Sequence, residues 1–578
     1  MYLPVLNLPN QELFQRPKPY IKPRNLSRWL EKLVTSNLDN AIVELREQIL
    51  ALNSSHYSPK ERLKLMLLIQ PRAHEIMSGL EQTLSTAKLP YKNQHATTQS
   101  NIIILITEIA SAYKLIVSEL AILDDSRTNY DSMLTEAVYF SMFYLSLLLL
   151  QVYRCYQPEP EDVWSELHQL YRYALTLGLQ DFPIDDQLAH AHFAPPHTIE
   201  KMYQRIVLLA IAEPYNLMQN ESDVVYRLTT QWIDQCNIIP LGEFSPTNEY
   251  IIDLTDDLGP HYVSRDNTWV PSDGRIVDIS LVKKKLENDI QILLLNSLSN
   301  SIETESLVNR NLRNMLMRIS DNWRRRISRE THRGKSSIEM TLINSMNACH
   351  SFLSDQEPFT PAMDEFNMVT EGSDQSKLKP ESNSEQTLSE KSQAHIDAYE
   401  ISLESDKRHN RSIYLTSTWY EINNSEFGLA LSGDLEKYTR KIVKVGDLIA
   451  YKAKRHEKAN WKIGIVRWQK SRDRSNIEIG VMSIASNAQP IAVKGISGVG
   501  AGTDYYRSLL IEGANTKKQG ENIIVPAFLY DINSVIAVNA GTTLYYLRLT
   551  KLLLATGAIA QFQFKTVDIS NVVANNYN

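Results

Sequence analysis

From about Leu26 to Ser320, apolar residues recur at three- and four-residue spacing, as in WLEKLVTSNLDNAIVELREQILAL. That is the period of helices burying one face, and β-patterned runs are scarce, so the pattern predicts a region built almost wholly of helix. Proline-containing or polar stretches at Leu89 to Gln99, Gln157 to Asp162 and Asp181 to Pro196 divide it into hairpin-like groups. No fixed period recurs, so the pattern gives no repeat solenoid. Residues Ile238 to Pro271 mix short apolar runs with turn residues (IIPLGEF, EYIIDLTDDLGP, DNTWVP) and predict an extended, loop-like excursion between helices.

Helical spacing returns in Ile279 to Arg318 and is followed by a basic cluster, Trp323, Arg324, Arg325, Arg326, Arg329 and Arg333. Beyond it the period changes. Ile338 to Ile343 (IEMTLI) alternates as a strand does, and further strands are predicted at Ser412 to Glu421, Gly428 to Leu431, Val445 to Lys454, Trp461 to Gln469 and Ile477 to Ala485. Short antiparallel strands at this spacing predict a small barrel. A second, smaller β unit is expected from Arg507 to Ile511, Asn522 to Ala527, Val535 to Val538, Leu544 to Leu549 and Phe562 to Val567, interrupted by the helix-prone run Leu552 to Ala558.

Between Asp355 and Arg408 the chain is rich in Ser, Glu, Asp, Gln and Lys and poor in aromatics, too little apolar surface to offset the entropy of ordering. A disordered insertion is expected there. The fold class is therefore multidomain α+β. An all-helical region (1–321) precedes an antiparallel β-barrel (322–354 plus 408–497) that is split by the acidic insertion (355–407), and a β-rich extension (498–578) follows.

Composition narrows the function without naming it. The 578 residues are 43% hydrophobic and 22% charged with a formal net charge of -7, so there is no global pull toward nucleic acid. Cys155, Cys236 and Cys349 are far apart and odd in number, giving neither a disulfide framework nor a CxxC metal clamp. The start MYLPVLNLPNQELF lacks the basic and apolar regions of a secretory leader. The apolar run Ala137 to Leu150 is shorter than the roughly 20 residues needed to cross a bilayer, and the similar stretch Ile102 to Leu120 carries Glu108, Lys114 and Glu119. Both are expected to be core helices of a cytoplasmic protein without a transmembrane span.

The chemistry is carried by the arginines before the first barrel strand and by Asn423, Asn424, Ser425, Glu426, Phe427 and Gly428. Here the sequence resembles the PilZ family of cyclic di-GMP receptors, whose motifs are RxxxR ahead of the barrel and (D/N)xSxxG on its wall. Arg325 and Arg329 match the first, with Arg329 and Arg333 as an alternative register; Asn423, Ser425 and Gly428 match the second. VGDLIAYK at Val445 to Lys452, WKIGIVRWQK at Trp461 to Lys470 and the following IEIGVMSIA are similar to later strands of that barrel. The long polar insertion departs from the compact family pattern, although loop closure costs grow only logarithmically with length.

These residue types suit the ligand that the resemblance implies. Cyclic di-GMP is a dianion with two guanines, and a planar guanidinium presents paired donors that match either a phosphate or the O6/N7 edge of guanine. The N1 and N2 donors of the opposite edge need fixed acceptors, which the Asn423 carbonyl and Ser425 hydroxyl supply. Gly428 allows an unusual backbone angle or a close approach. The expected binding set is Arg325, Arg329, Asn423, Ser425 and Gly428, with Arg326 and Arg333 as further candidates. Asn423 in place of the commoner acidic residue keeps an acceptor but loses a charge-assisted bond.

Other constellations are weaker. Gly334, Lys335 and Ser336 have Arg329 where a P-loop needs its first glycine. Gly495 to Gly502 lacks GxGxxG spacing. His190, His192 and His197 stand without cysteines or an HExxH arrangement, and Cys349 has only His350 beside it. No enzyme, metal or cofactor is expected. A nucleic-acid role for the arginines is disfavoured by the net acidity.

Over most of the chain, VWSELHQLYRYA at Val163 to Ala174, VLLAIAEPYNL at Val207 to Leu217 and LLLATGAIAQFQF at Leu552 to Phe564 are similar to long PilZ receptors of the FimW group. That resemblance implies a role in surface attachment and type IV pili, with the helical region contacting an unidentified protein partner. A helical scaffold with a degenerate barrel that binds only protein is the competing expectation.

Overall fold

Eleven helices and seventeen strands lie among the residues that the computed structural model describes, namely 3–11, 22–33, 37–91, 93–122, 131–184, 197–242, 249–263, 271–299, 307–324, 334–335, 338–361, 414–425, 427–434, 443–454, 460–472, 476–502, 504–511, 521–541 and 543–568. Internal contacts divide the chain into two units, Met1–Asp289 with Ile319–Ser328, and Ile290–Arg318 with Arg329–Asn578.

The first unit holds α1 (Pro23–Lys32), α2 (Leu38–Asn53), α3 (Pro59–Thr86), α4 (Gln94–Ile122), α5 (Asp131–Arg154), α6 (Val163–Leu177), α7 (Ile199–Ile211) and α8 (Glu221–Trp232). Local chemistry sets their ends. At α3, Ser58 and Glu61 each satisfy the other's backbone N–H in a capping box, with Pro59 in the first turn. At α6, Asp162 does not cap with its own side chain; the Asp257 carboxylate accepts from the N–H groups of Asp162 and Ser165 instead, both at 2.8 Å. Helices α4 and α5 are long and apolar enough to cross a membrane by length and composition, yet 83% of the α5 window is buried inside the protein. They are central core helices. Charges buried there are paired, as in Lys114 with Glu166 at 2.6 Å.

The excursion expected as loop at Ile238 to Pro271 instead contributes β1 (Asn237–Pro240), β2 (Glu249–Asp253) and β3 (His261–Val263) to a four-stranded antiparallel sheet in the order β1-β4-β2-β3, completed by β4 (Gly274–Asp278). Strands of three to five residues, separated by turns, show too little alternation to be recognised singly. After it come α9 (Ser280–Ser299) and α10 (Leu307–Arg324). Within the first unit, the Trp323 indole N–H in the last turn of α10 donates to the Ile211 carbonyl at 3.1 Å.

The second unit carries two barrels. The first uses β5 (Gly334–Lys335), β6 (Glu339–Asn344), β7 (Ser417–Ser425), β8 (Gly428–Asp434), β9 (Leu448–Ala453), β10 (Lys462–Ser471) and β11 (Asn476–Ala485) in the order β5-β7-β6-β9-β10-β11-β8, closed by pairing of β7 with β8. Its interior is filled by Met340, Leu342, Trp419, Leu429, Leu431, Ile449, Val466, Ile479 and Val481. The second is a closed six-stranded barrel, β12 (Gln489–Ser497), β13 (Tyr506–Ile511), β14 (Asn522–Pro526), β15 (Val535–Asn539), β16 (Leu544–Ala555) and β17 (Ile559–Val567), in the order β12-β13-β14-β17-β16-β15.

Three details differ from the sequence reading. Leu552 to Ala555 end strand β16 rather than starting a helix, because Leu552, Ala555, Ala560 and Phe562 fill the second barrel. Strand β12 belongs to the second barrel, so the two barrels divide between β11 and β12 rather than after 497. An unforeseen helix, α11 (Met346–Leu353), is capped by the Ser345 side chain and places Met346 and Cys349 in one core with Leu448 and Ile463 of the first barrel and Leu509, Ile524 and Ile559 of the second.

Most of the acidic insertion, from 362 onward, lies outside the described residues. The described residues on either side of the stretch 362–413 meet at one side chain: the Arg507 guanidinium sits 4.7 Å from the Phe359 ring centroid and donates to the Tyr414 hydroxyl at 3.4 Å. The same unit takes up the first part of α10, where Arg313 pairs with Asp531 at 3.2 Å and Arg318 donates to the Ala555 carbonyl at 2.9 Å.

Candidate functional site

The hairpin of β7 and β8 presents the NxSxxG residues. Opposite pairs run Glu421 with Leu431, then Asn423 with Ala430, Asn424 with Leu429 and Ser425 with Gly428, so Ile422 is an extra residue, a β-bulge. Side chains alternate along a strand, and directly opposed residues share a face. Leu429 and Leu431 point into the barrel, so Asn423 and Ser425 stand together on its outer face with Ala430 and Gly428. Without the bulge, the two would follow Trp419 and Glu421 inward. The Ser425 hydroxyl donates to the Gly428 carbonyl at 3.1 Å, which closes the hairpin and leaves the oxygen's lone pairs available.

Gly428 is required for close approach. A Cβ there would lie 2.3 Å from the Val481 carbonyl oxygen on β11, and Gly428 is not among the glycines with positive φ. Of the two roles foreseen for this glycine, the structure therefore selects close strand contact over an unusual backbone angle.

The register extends this face across four strands. Asn423 opposes Ala430, Ala430 opposes Gly480 on β11, and Gly480 opposes Trp468 on β10, a single row from an amide to an indole over two small residues. The half-buried Trp468 lies across Gly480, where a Cβ would sit 1.8 Å from the indole Nε1. A second bulge, at Arg467, turns Trp468 outward while Val466 remains inside. The next row sets Ser425, Gly428 and Met482 side by side. The result is a shallow, flat-floored face with hydrogen-bonding groups at one edge and a π surface at the other. Sequence reasoning missed Trp468 because its neighbours are defined only by strand order; Gly480 in the alternating run IEIGVM was the available signal.

Upstream, β5 pairs with the same strand, Gly334 opposite Asn424 and Lys335 opposite Asn423. Gly334 and Lys335 are thus ladder residues rather than the end of a phosphate loop. Arg325, Arg326, Arg329 and Arg333 lie outside the described residues, but covalent geometry limits them: Arg333 adjoins Gly334, and Arg329 is within about 18 Å of it along the most extended chain. The glycine-rich stretch 495–502 is a packed turn in which a Cβ on Gly500 would meet the Leu529 carbonyl oxygen at 2.0 Å. His190 and His192 lie outside the described residues, and among the described residues no group of three or more His, Cys, Asp or Glu could hold a metal ion.

Comparison with known proteins agrees along the whole chain. Residues 24–241 match the N-terminal domain of the cyclic-di-GMP receptor FimW, residues 250–490 its middle PilZ domain, and residues 491–567 the FimW C-terminal β-barrel domain. The cyclic-di-GMP receptor FimW of Pseudomonas aeruginosa is 22% identical over 579 aligned positions, covering 95% of this chain and 91% of that protein. No solved structure matches the chain. With a helical first region, a motif-bearing barrel and a second barrel in the order that family prescribes, the chain belongs to the FimW family of PilZ-domain proteins.

Proposed function

We propose that this chain is a non-catalytic receptor for cyclic di-GMP. The observation that carries the proposal is the pairing of Lys335 with Asn423, which ties the end of the arginine strip to the edge of the face bearing Asn423 and Ser425. In this reading Arg325 and Arg329, with Arg326 and Arg333 beside them, close over the ligand from the strip. Their guanidinium forks take phosphate or guanine O6/N7. Asn423 and Ser425 accept from the guanine N1 and N2 groups, Gly428 keeps the floor flat, and Trp468 stacks on a base. Two bidentate contacts at about 1 to 3 kcal/mol each, with a base stack of about 1 to 3 kcal/mol, sum to about 3 to 9 kcal/mol, a range whose upper end reaches the roughly 8 kcal/mol of micromolar binding.

The strip orders around the ligand, and that local electrostatic event is the signal passed to the helical region, which engages a protein partner. The Pseudomonas aeruginosa relative is a cyclic-di-GMP receptor, which supports the ligand. We place the output in surface attachment or type IV pilus behaviour and the protein in the cytoplasm.

Calorimetry with cyclic di-GMP, cyclic di-AMP and GTP tests the proposal. Micromolar or tighter binding of cyclic di-GMP alone, weakened by Arg325→Ala, Arg329→Ala and Ser425→Ala without unfolding, is expected. No heat with cyclic di-GMP, while a protein partner is still recovered, would instead favour a scaffold with a degenerate barrel.

A further inference from the structure

The outer face of the first barrel carries a second row beside the one that ends at Trp468. Tyr420 on β7 opposes Ser432 on β8, Ser432 opposes Glu478 on β11, and Glu478 opposes Lys470 on β10. Tyr420, Ser432 and Glu478 point outward, because their neighbours along each strand, Trp419, Leu431, Ile477 and Ile479, fill the barrel. On β11 the two rows are marked by Gly480 and Glu478, two residues and so about 7 Å apart.

The rows run in opposite senses. In the first, the acceptor Asn423 stands on β7 and the Trp468 indole lies over Gly480 of β11. In the second, the aromatic ring stands on β7 as Tyr420, and the acceptor on β11 as the Glu478 carboxylate. Ring and acceptor thus change places between the same two strands, with Ala430 and Ser432 of β8 between them. Cyclic di-GMP has a matching two-fold character. Each of its guanines offers a flat face to an aromatic ring and N1 and N2 donors to an acceptor.

Both side chains are open to such a ligand. Tyr420 is 53% exposed, so its ring has a face to offer. Glu478 has Arg472 Nε at 3.4 Å, but that arginine is 76% exposed, and an ion pair of this kind contributes little, so the carboxylate takes new donors at small cost. We propose that Tyr420 and Glu478 form a second guanine subsite, the ring stacking on the base and the carboxylate accepting from N1 and N2, so that both halves of one cyclic di-GMP are read. This inference rests on the reading of the chain as a cyclic di-GMP receptor and adds to it the recognition of the second base.

Calorimetry of the full chain with cyclic di-GMP and with the mixed cyclic GMP–AMP of the same linkage tests it. Adenine has an acceptor at N1 and no amine at C2, so it gives the Glu478 carboxylate nothing to accept. The wild type is expected to prefer cyclic di-GMP about 10-fold, the discrimination of one bidentate contact. Glu478→Gln, whose amide donates to adenine as readily as it accepts from guanine, should reduce the preference to about twofold, the statistical advantage of two equivalent guanines. Arg472→Ala, which removes the ion pair and keeps the carboxylate, should retain it. Tyr420→Ala should weaken cyclic di-GMP binding about 10-fold, and Tyr420→Phe should leave it near the wild-type value. A wild-type preference of about twofold or less, an unchanged preference in Glu478→Gln, its loss in Arg472→Ala, or unchanged affinity in Tyr420→Ala overturns the second subsite while the receptor reading stands. Absence of cyclic di-GMP binding to the wild type overturns both.

Discussion

The Trp468 indole lies across Gly480, in one row with Ala430 and Asn423. The glycine lets the ring rest flat on the sheet, and the two small residues leave the space between ring and amide open. Such a face suits a planar base with polar edges, and β5, which follows the arginines in sequence, pairs with the same hairpin through Lys335 and Asn423.

Trp468→Ala should weaken cyclic di-GMP binding about 5- to 150-fold, since one base stack contributes roughly 1 to 3 kcal/mol. Trp468→Phe should retain most of the affinity. Gly480→Ala, which displaces the ring, should fall between them. Calorimetric titration of the three variants decides this, and wild-type affinity in Trp468→Ala would remove the residue from the site.

Asn423→Asp should tighten binding by roughly fivefold, because a carboxylate accepting the guanine donors forms a charge-assisted bond about 1 kcal/mol stronger than an amide's. Asn423→Ala should weaken it. If the aspartate binds less tightly than the asparagine, Asn423 does not face the N1 and N2 groups.

Gly428→Ala tests packing rather than chemistry. The added Cβ would meet the Val481 carbonyl oxygen at 2.3 Å, with backbone rather than a flexible side chain as the obstacle. Overpacking of this kind costs about 1 to 3 kcal/mol, so the thermal midpoint should fall and ligand affinity should fall with it. An unchanged midpoint would mean that the strands separate freely at this point.

The barrel strands were legible because short runs such as IEMTLI and IEIGVM alternate, and the pair Asn423 and Ser425 was singled out by the resemblance to the PilZ motif. What spacing could not reveal is which way they face: alternation continued from Trp419 and Glu421 points them inward, and only the bulge at Ile422 reverses that. The partners of Trp468 come from cross-strand register, to which a linear sequence gives no access. Helix α11, eight residues long, is too short for a periodic signal, and the Leu- and Ala-rich run from Leu552 to Ala558 reads as helix until barrel closure claims it as strand and turn. The small sheet of β1 to β4 was hidden by the brevity of its strands.

Stability should respond to pH at Asp447. Burial pushes its carboxyl up to about 6, against the opposing pull of the Lys444 N–H, the Lys444 charge and Asn344. A folded value above the unfolded one, near 4, means that the folded state binds the proton more tightly. The ionised group therefore costs nothing below about pH 4, costs progressively more between 4 and 6, and costs its full amount above 6. Asp447→Asn keeps an acceptor for the Lys444 N–H and should raise stability by about 1 to 3 kcal/mol at pH 8, with the difference vanishing near pH 4. Denaturant unfolding at both pH values checks it; a variant less stable at pH 8 reverses the sign.

Hydrogen exchange of the full chain with and without saturating cyclic di-GMP examines most directly whether the arginine strip closes over the outer face of the first barrel. Ligand-induced protection is predicted both in residues 325–333 and in the β7–β8 hairpin, with Arg329→Ala abolishing the first at ligand concentrations that still occupy the site. Tight binding that protects neither segment would contradict the proposed site.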